Sequence, residues 1–188
     1  MKDDDLKYLI SGREFEKFNE YNKYRYCPRC RTELAIGPID DVPRPHCRAC
    51  GFVYYQNPAP AAGAMIVEHG GILLVQRSVN PRRGDWCIPA GFTEWTEHPQ
   101  QTAIREIKEE TGLEIAITGM FDIFMGMDDP RTHAVLILYH GAVIGGALRP
   151  GDDAIDARYF SFDALPGNIA FQAHRDALAL YRLRELKE

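Results

Sequence analysis

Apolar residues recur along this chain in two rhythms, and the change of rhythm marks out its elements. Between Glu14 and Tyr24 the aromatics Phe15, Phe18, Tyr21 and Tyr24 return at intervals of three, which predicts a helix whose aromatic stripe packs against the body of the protein. Residues 61–67 and 72–76 are nearly continuous apolar runs, and Glu68-His69-Gly70-Gly71 stands between them, the signal of a β-hairpin. A loop rich in Pro, Arg and Gly follows over 78–85, then a short segment over 86–89. From Pro99 the rhythm turns helical. Proline is tolerated in a first turn, good helix formers follow, and Gly112 stops the run. Strand-like segments then cover 113–118, 120–125, 133–140 and 156–160. The stretch 170–186 is one amphipathic helix, with Phe171, Leu178, Tyr181 and Leu186 as its core residues.

Composition narrows the class. A chain of 188 residues with 45% hydrophobic content can bury one sizeable core and carry a small appendage. Its net charge of -5 and pI near 5.7 oppose a main role in holding nucleic acid without sequence preference. The first ten residues, MKDDDLKYLI, have neither a basic leader nor a long apolar stretch, and no run reaches membrane-spanning length, so the expectation is a soluble, cytoplasmic protein.

The cysteines add a metal. Cys27-Pro-Arg-Cys30 and Cys47-Arg-Ala-Cys50 are two knuckles separated by sixteen residues, a spacing that suits a tetrahedral four-thiolate zinc site. Two disulfides are the competing reading, but nothing in the chain suggests secretion. Four protein ligands leave no open position for water, so this zinc is expected to be structural. His46 beside Cys47 reads as a surface histidine, and Cys87 as an inert strand residue. The expected organisation is a helical arm over 1–26, a zinc ribbon over 27–58 with a turn-rich link between its knuckles, and a larger domain over 59–188.

Chemistry concentrates on the helix after Pro99. Glu106, Glu109 and Glu110 stand at i, i+3 and i+4, so their carboxylates share one face, and Arg105 is one turn before Glu109. Like charges at that spacing weaken a helix by a few tenths of a kcal/mol per pair, roughly, so folding alone has no use for them. A solvated acidic face is the plain alternative. A hard divalent cation, Mg2+ or Mn2+, gives the cluster a purpose, because it takes oxygen ligands and tolerates carboxylates together with water and phosphate.

The run from Gly91 to Leu113, GFTEWTEHPQQTAIREIKEETGL, matches the pattern G-x5-E-x7-R-E-U-x-E-E-x-G-U, with U aliphatic, at every fixed position. On those residues the chain resembles a Nudix hydrolase. The resemblance, with the ribbon, covers Cys27 to the C-terminus and implies an α+β fold: a mixed β-sheet sandwiched between helices, preceded by the ribbon and the arm. It implies hydrolysis of the diphosphate in a nucleoside diphosphate linked to another group. Glu106, Glu109, Glu110 and the Gly91 carbonyl would hold Mg2+ or Mn2+, and Glu97 would brace the loop or reach the metal through water. Glu109, oriented by Arg105, is the first choice of general base. Asp153 and Asp156 lie where related enzymes carry a later acidic ligand or base, and Glu94 has similar standing. Such loops commonly read GGxxExGE, whereas here Ala90 precedes Gly91 and Thr96 precedes Glu97.

A ribbon, the segment YYQNP and this box together resemble two subfamilies: NADH pyrophosphatases, and a shorter group acting on ADP-ribose or FAD. The SQPWPFPxS tract of the first is absent from 119–132, so ADP-ribose is favoured, giving AMP and ribose 5-phosphate, ahead of FAD and then NAD(H). Pro130 stands near the place where ADP-ribose enzymes carry a proline. Phe121, Phe124 and Met125 are candidates to stack on adenine, with strand core as the alternative; Arg82 and Arg83 are candidates to meet phosphates, with solubilising charge as the alternative. Basic residues around the knuckles (Lys23, Arg25, Arg29, Arg31, Arg44, Arg48) leave room for action on nucleotide-capped RNA, although Glu33, Asp40 and Asp41 dilute the patch. A ligand sensor without turnover would show an eroded box, and this box is complete. Related enzymes dimerise, and the aromatic arm offers a surface for a homodimer.

Overall fold

The computed structural model describes residues 24–129, 132–151 and 153–185. The expected arm helix (apart from its last residue, Tyr24), Pro130 and Leu186 therefore lie outside the described residues. The chain divides into two compact units, Met1–Asn57 and Pro58–Glu188. Among the described residues no helix is long and apolar enough to cross a membrane.

In the first unit the turn-rich link between the knuckles is a hairpin of β1 (Ala35–Ile39) and β2 (Val42–His46). Asp40 and Asp41 form its turn with φ of 51° and 62°, the left-handed pair that a two-residue connection demands. Pro38, Pro43 and Pro45 conceal these strands in the sequence. A two-stranded ribbon has an outer edge on each strand, where a missing N–H costs nothing. The knuckles themselves fold alike. The N–H of Cys27 donates to the Thr32 carbonyl (2.8 Å) and that of Arg31 to Cys27 (2.8 Å), while Cys47 donates to Phe52 (2.7 Å) and Gly51 to Cys47 (3.0 Å). Arg31 and Gly51, equivalent in the two turns, both have positive φ.

The second unit is built on a seven-stranded mixed sheet. Its strands are β3 (Ala59–Glu68), β4 (Gly71–Arg77), β5 (Trp86–Cys87), β6 (Ala90–Phe92), β7 (Leu113–Gly126), β8 (Ala134–Gly146) and β9 (Ala154–Ser161). The order is β5-β4-β3-β8-β7, with β6 also paired to β3 and β9 to β4; β3 and β8 run parallel. Helix α1 (Pro99–Thr111) covers one face and α2 (Gln172–Glu185) the other. Successive residues of the two hairpin strands serve opposite cores: Met65, Ile72 and Leu74 pack with Ala177 and Leu178 of α2, and Ala64, Ile66 and Leu73 with Ile107 of α1. Burial on both faces is why these strands read as continuous apolar runs rather than as alternation. Each Ile, Leu or Met among them contributes about 1.5–3 kcal/mol by leaving water.

The segments expected at 113–118 and 120–125 are one strand, β7, paired throughout with β8. Its register slips at three places, one of them at Phe121, which falls between the pairs Met120–Tyr139 and Asp122–Leu138. That slip breaks the alternation and puts Phe121 into the same core as Phe124.

Helix α1 is closed at both ends. His98 accepts from the Gln100 N–H while Gln101 reaches back to the His98 N–H, and Gly112 takes φ 72° to donate to the Lys108 carbonyl. The segment after β8 crosses that C-terminal end. Gly151 donates to the Glu110 carbonyl (3.0 Å), and a Cβ on Gly151 would stand 1.6 Å from the Glu109 carbonyl oxygen, so only glycine passes so close.

Candidate active site

The acidic face of α1 packs toward β6, which carries the first glycine of the box. Glu110 is 9% exposed, and its Oε2 accepts the Ala90 N–H at 3.2 Å. The Glu106 carboxylate lies on Gly91, where a Cβ would stand 2.2 Å from its Cδ. Ala90, standing where glycine is common in such loops, has its own accommodation: Gly63 opposite it on β3 lacks the Cβ that would come within 2.5 Å of the Ala90 methyl. Glu109, more than half exposed, completes the face.

Arg105 ties these acids to the loop. Its Nε and Nη2 donate to the two oxygens of Glu97 (2.7 and 2.9 Å), and Nη1 donates to Glu106 (2.6 Å) and Glu109 (2.9 Å). Nη2 also reaches the Phe92 carbonyl at 3.2 Å. Glu97 accepts further bonds from the Thr102 hydroxyl (2.9 Å) and the Glu94 N–H (3.2 Å), so it braces the loop from inside. The Arg105 hydrogen bonds hold the Glu97 carboxyl down to about 2. Glu106 moves the other way, raised by burial against the pull of Arg105. Burial, then the neighbouring charge of Glu106, push Glu110 up to about 8. Three carboxylates share one guanidinium while Glu110 stands outside its reach, and the two most buried, Glu106 and Glu110, resist ionisation. Such an all-oxygen cluster is the donor set a hard divalent cation takes, since a cation repays the cost of ionising them.

Asp153 comes to the same place by way of the Gly151 crossing, and its charge adds to those that raise Glu110. Asp156 does not act freely: it sits on β9 opposite Gln76 and pairs with Arg158. Arg82 and Arg83 are exposed on a loop fixed by Gln76 to the Gly84 carbonyl (2.8 Å) and Arg77 to the Pro81 carbonyl (3.0 Å). Phe121 and Phe124 must be corrected as adenine contacts. Both are buried with Tyr181 of α2, and neither lines the cleft beside the box. Met125 is exposed on β7.

That cleft runs from Gly91 and Phe92 to the start of α2, and its polar lining is Arg77, Asp128, Asp129 and His174. The sequence reading missed all four. Arg77 and His174 are isolated and Asp128-Asp129 is an adjacent pair in otherwise unmarked segments, and only folding brings β4, the loop after β7 and α2 together.

In the first unit the Sγ atoms of Cys27, Cys30, Cys47 and Cys50 all lie within 4.8 Å of one another, the nearest pairs at 3.5 and 3.4 Å. A zinc tetrahedron with Zn–S near 2.3 Å has sulfur edges of roughly 3.8 Å, so the four sulfurs fit around one ion. All four thiols are free of disulfides. Hydrogen bonds to Thr32 lower the Cys30 thiol while Cys50, despite its bond to the Phe52 backbone, is raised, so the clustered thiols titrate together rather than singly. Cys87 is buried and its thiol pushed up to about 12, an unreactive core residue.

The NUDIX domain family matches residues 57–181. An ADP-ribose pyrophosphatase of Methanocaldococcus jannaschii is 40% identical over 118 residues, 62% of this chain and 69% of that protein. A NAD-capped RNA hydrolase NudC of Chromobacterium violaceum is 33% identical over 173 residues, 89% of this chain; the match spans 62% of that protein's length. Among solved structures, a NUDIX hydrolase from Nitrosomonas europaea superposes with a TM-score of 0.75 at 28% identity, over 87% of this chain and 93% of that one.

Proposed function

The chain belongs to the NUDIX domain family and is a Nudix hydrolase, and from that premise we propose that it cleaves the diphosphate of ADP-ribose to AMP and ribose 5-phosphate. One observation carries the catalytic half of this reading: Glu106 rests on Gly91 and Glu110 on the Ala90 N–H one position earlier, while Arg105 ties Glu106 to Glu109 and Glu97. With the Gly91 carbonyl, Glu106, Glu109 and Glu110 would hold Mg2+ or Mn2+, and Asp153, whose charge acts on Glu110, would assist. When bound, such an ion neutralises diphosphate oxygens and acidifies a water. Arg105 keeps the Glu109 carboxylate in one rotamer. Glu109, open to solvent, is placed to take the proton of the water that attacks phosphorus as the bridging P–O bond breaks. Glu97, saturated with hydrogen bonds, positions rather than reacts. Cys27, Cys30, Cys47 and Cys50 hold a structural zinc.

The substrate half rests on the Methanocaldococcus jannaschii relative and on the absence of the SQPWPFPxS tract. A second reading, cleavage of a NAD(H)-type or FAD diphosphate or of a nucleotide-capped RNA end, draws support from the NudC match, which extends over most of this chain rather than the catalytic unit alone. A screen of ADP-ribose, FAD, NADH, NAD, diadenosine polyphosphates and nucleoside triphosphates with Mg2+ or Mn2+, products identified by mass, decides. AMP and ribose 5-phosphate are the expected products; preference for a triphosphate overturns the reading.

A further inference from the structure

His174 lies in the first turn of α2 and forms part of the wall of the cleft beside Gly91 and Phe92. Its Nδ1 accepts the N–H of Ile88 at 3.2 Å, in the segment that leads from β5 to β6. A neutral imidazole carries one proton, so a ring whose Nδ1 accepts must present its N–H at Nε2. Burial, reinforced by the charge of Arg77, holds the ring down to about 4, and it is neutral at physiological pH. Among the described residues no group accepts from Nε2. The ring is 8% exposed, and it is the cleft that it lines.

The rest of the cleft says what that donor meets. Ala61, Leu136, Cys87 and Phe171 supply apolar walls suited to a flat ring, and Arg77 lies 5.1 Å over the Phe171 ring. Asp128 and Asp129 line the same space. Asp128 spends Oδ2 on the Gln172 N–H and on Arg175 and keeps a buried Oδ1 without a partner among the described residues, an acceptor for an amino group, whereas the imidazole N–H seeks an acceptor of its own. Adenine offers both: ring nitrogens that accept and an exocyclic amine that donates, on one apolar plane. We infer that this cleft takes the adenine of the substrate, and that His174 determines base specificity by donating Nε2–H to an adenine ring nitrogen. The inference rests on the reading that the substrate is an adenine-containing diphosphate.

The test is a cycle of protein and substrate changes. Steady-state kinetics are measured with ADP-ribose and its 1-deaza, 3-deaza and 7-deaza adenine analogues, for the wild type, His174→Phe and His174→Asn. The wild type should lose about tenfold or more in kcat/KM on one analogue, mostly through KM, because the donor is then left unpaired. In both variants that ratio should collapse to near one. His174→Asn keeps an acceptor for the Ile88 N–H, so a folding defect in His174→Phe leaves the comparison intact. A merely structural histidine would lower activity on every analogue alike and leave the ratio unchanged, and that result overturns the inference, as does a wild type indifferent to all three. If FAD or NADH is hydrolysed in place of ADP-ribose, the substrate reading falls and the same cycle is run on deaza-adenine forms of that molecule. Turnover only of molecules without adenine overturns both.

Discussion

The carboxylate of Glu106 rests on the bare α-carbon of Gly91, and a methyl group at that carbon would overlap it at 2.2 Å. Gly91 also pairs with Ala62 in the sheet, so the backbone cannot retreat without breaking the β3–β6 ladder. Gly91→Ala should therefore displace Glu106 rather than unfold the chain. The expected result is a fall in kcat of about 10²-fold, since small misplacements at a reacting centre cost that much. Thermal unfolding should show the fold retained, and a variant with full activity would contradict the assigned contact.

Glu109→Gln removes a charge from an exposed position and leaves the helix otherwise unchanged. Hydrolysis should fall by roughly 10²- to 10⁴-fold, the range for loss of a general base, with stability nearly unaltered. Full activity in that variant would refute the role of Glu109.

The raised Glu110 makes a pH prediction. An unfolded glutamate ionises near 4.5, whereas folded Glu110 does so near 8, so between these values the folded chain keeps a proton that the unfolded chain has released. Stability from this group is full below the lower value and is lost as pH rises through the upper one. Glu97 and His174 slope the opposite way in lower windows, between about 2 and 4.5 and between about 4 and 6.5, and the lowered Cys30 thiol would do so at higher pH only in protein stripped of zinc. In chelator-treated protein the thermal midpoint should therefore fall from pH 6.5 to 8, and Glu110→Gln should flatten that slope. Mg2+ or Mn2+ should stabilise more at the upper end, because the ion binds the ionised carboxylate.

Zinc should be separable from the catalytic ion. Elemental analysis of purified protein should find one zinc per chain, and Cys47→Ser should lose it. Chelators that strip the catalytic ion should abolish turnover reversibly, while zinc remains until the thiols are removed or the knuckles unfold. A Cys47→Ser protein with full zinc content would refute the four-thiolate site.

Helix α1 was legible in the sequence to within a residue, because a proline opens it and a glycine closes it, and both signals are local. The acids on it were legible as a pattern, but the reason for Gly91 was not, since it lies in a side chain fifteen positions away. The hairpin of β1 and β2 stayed hidden behind prolines that a two-stranded ribbon tolerates. A glycine at position 119 suggested two short segments where β7 is one long strand, because register slips absorb the irregularity without ending the pairing. Arg77 and His174 gave no signal at all: what joins them is the packing of α2 across the sheet, a long-range event.

By grasping Glu97, Glu106 and Glu109 at once, Arg105 furnishes the hydrolytic centre with an internal counter-cation. Repulsion among these acids is thereby muted within the folded chain itself. An incoming ion must compete with a tethered guanidinium for two of its oxygens.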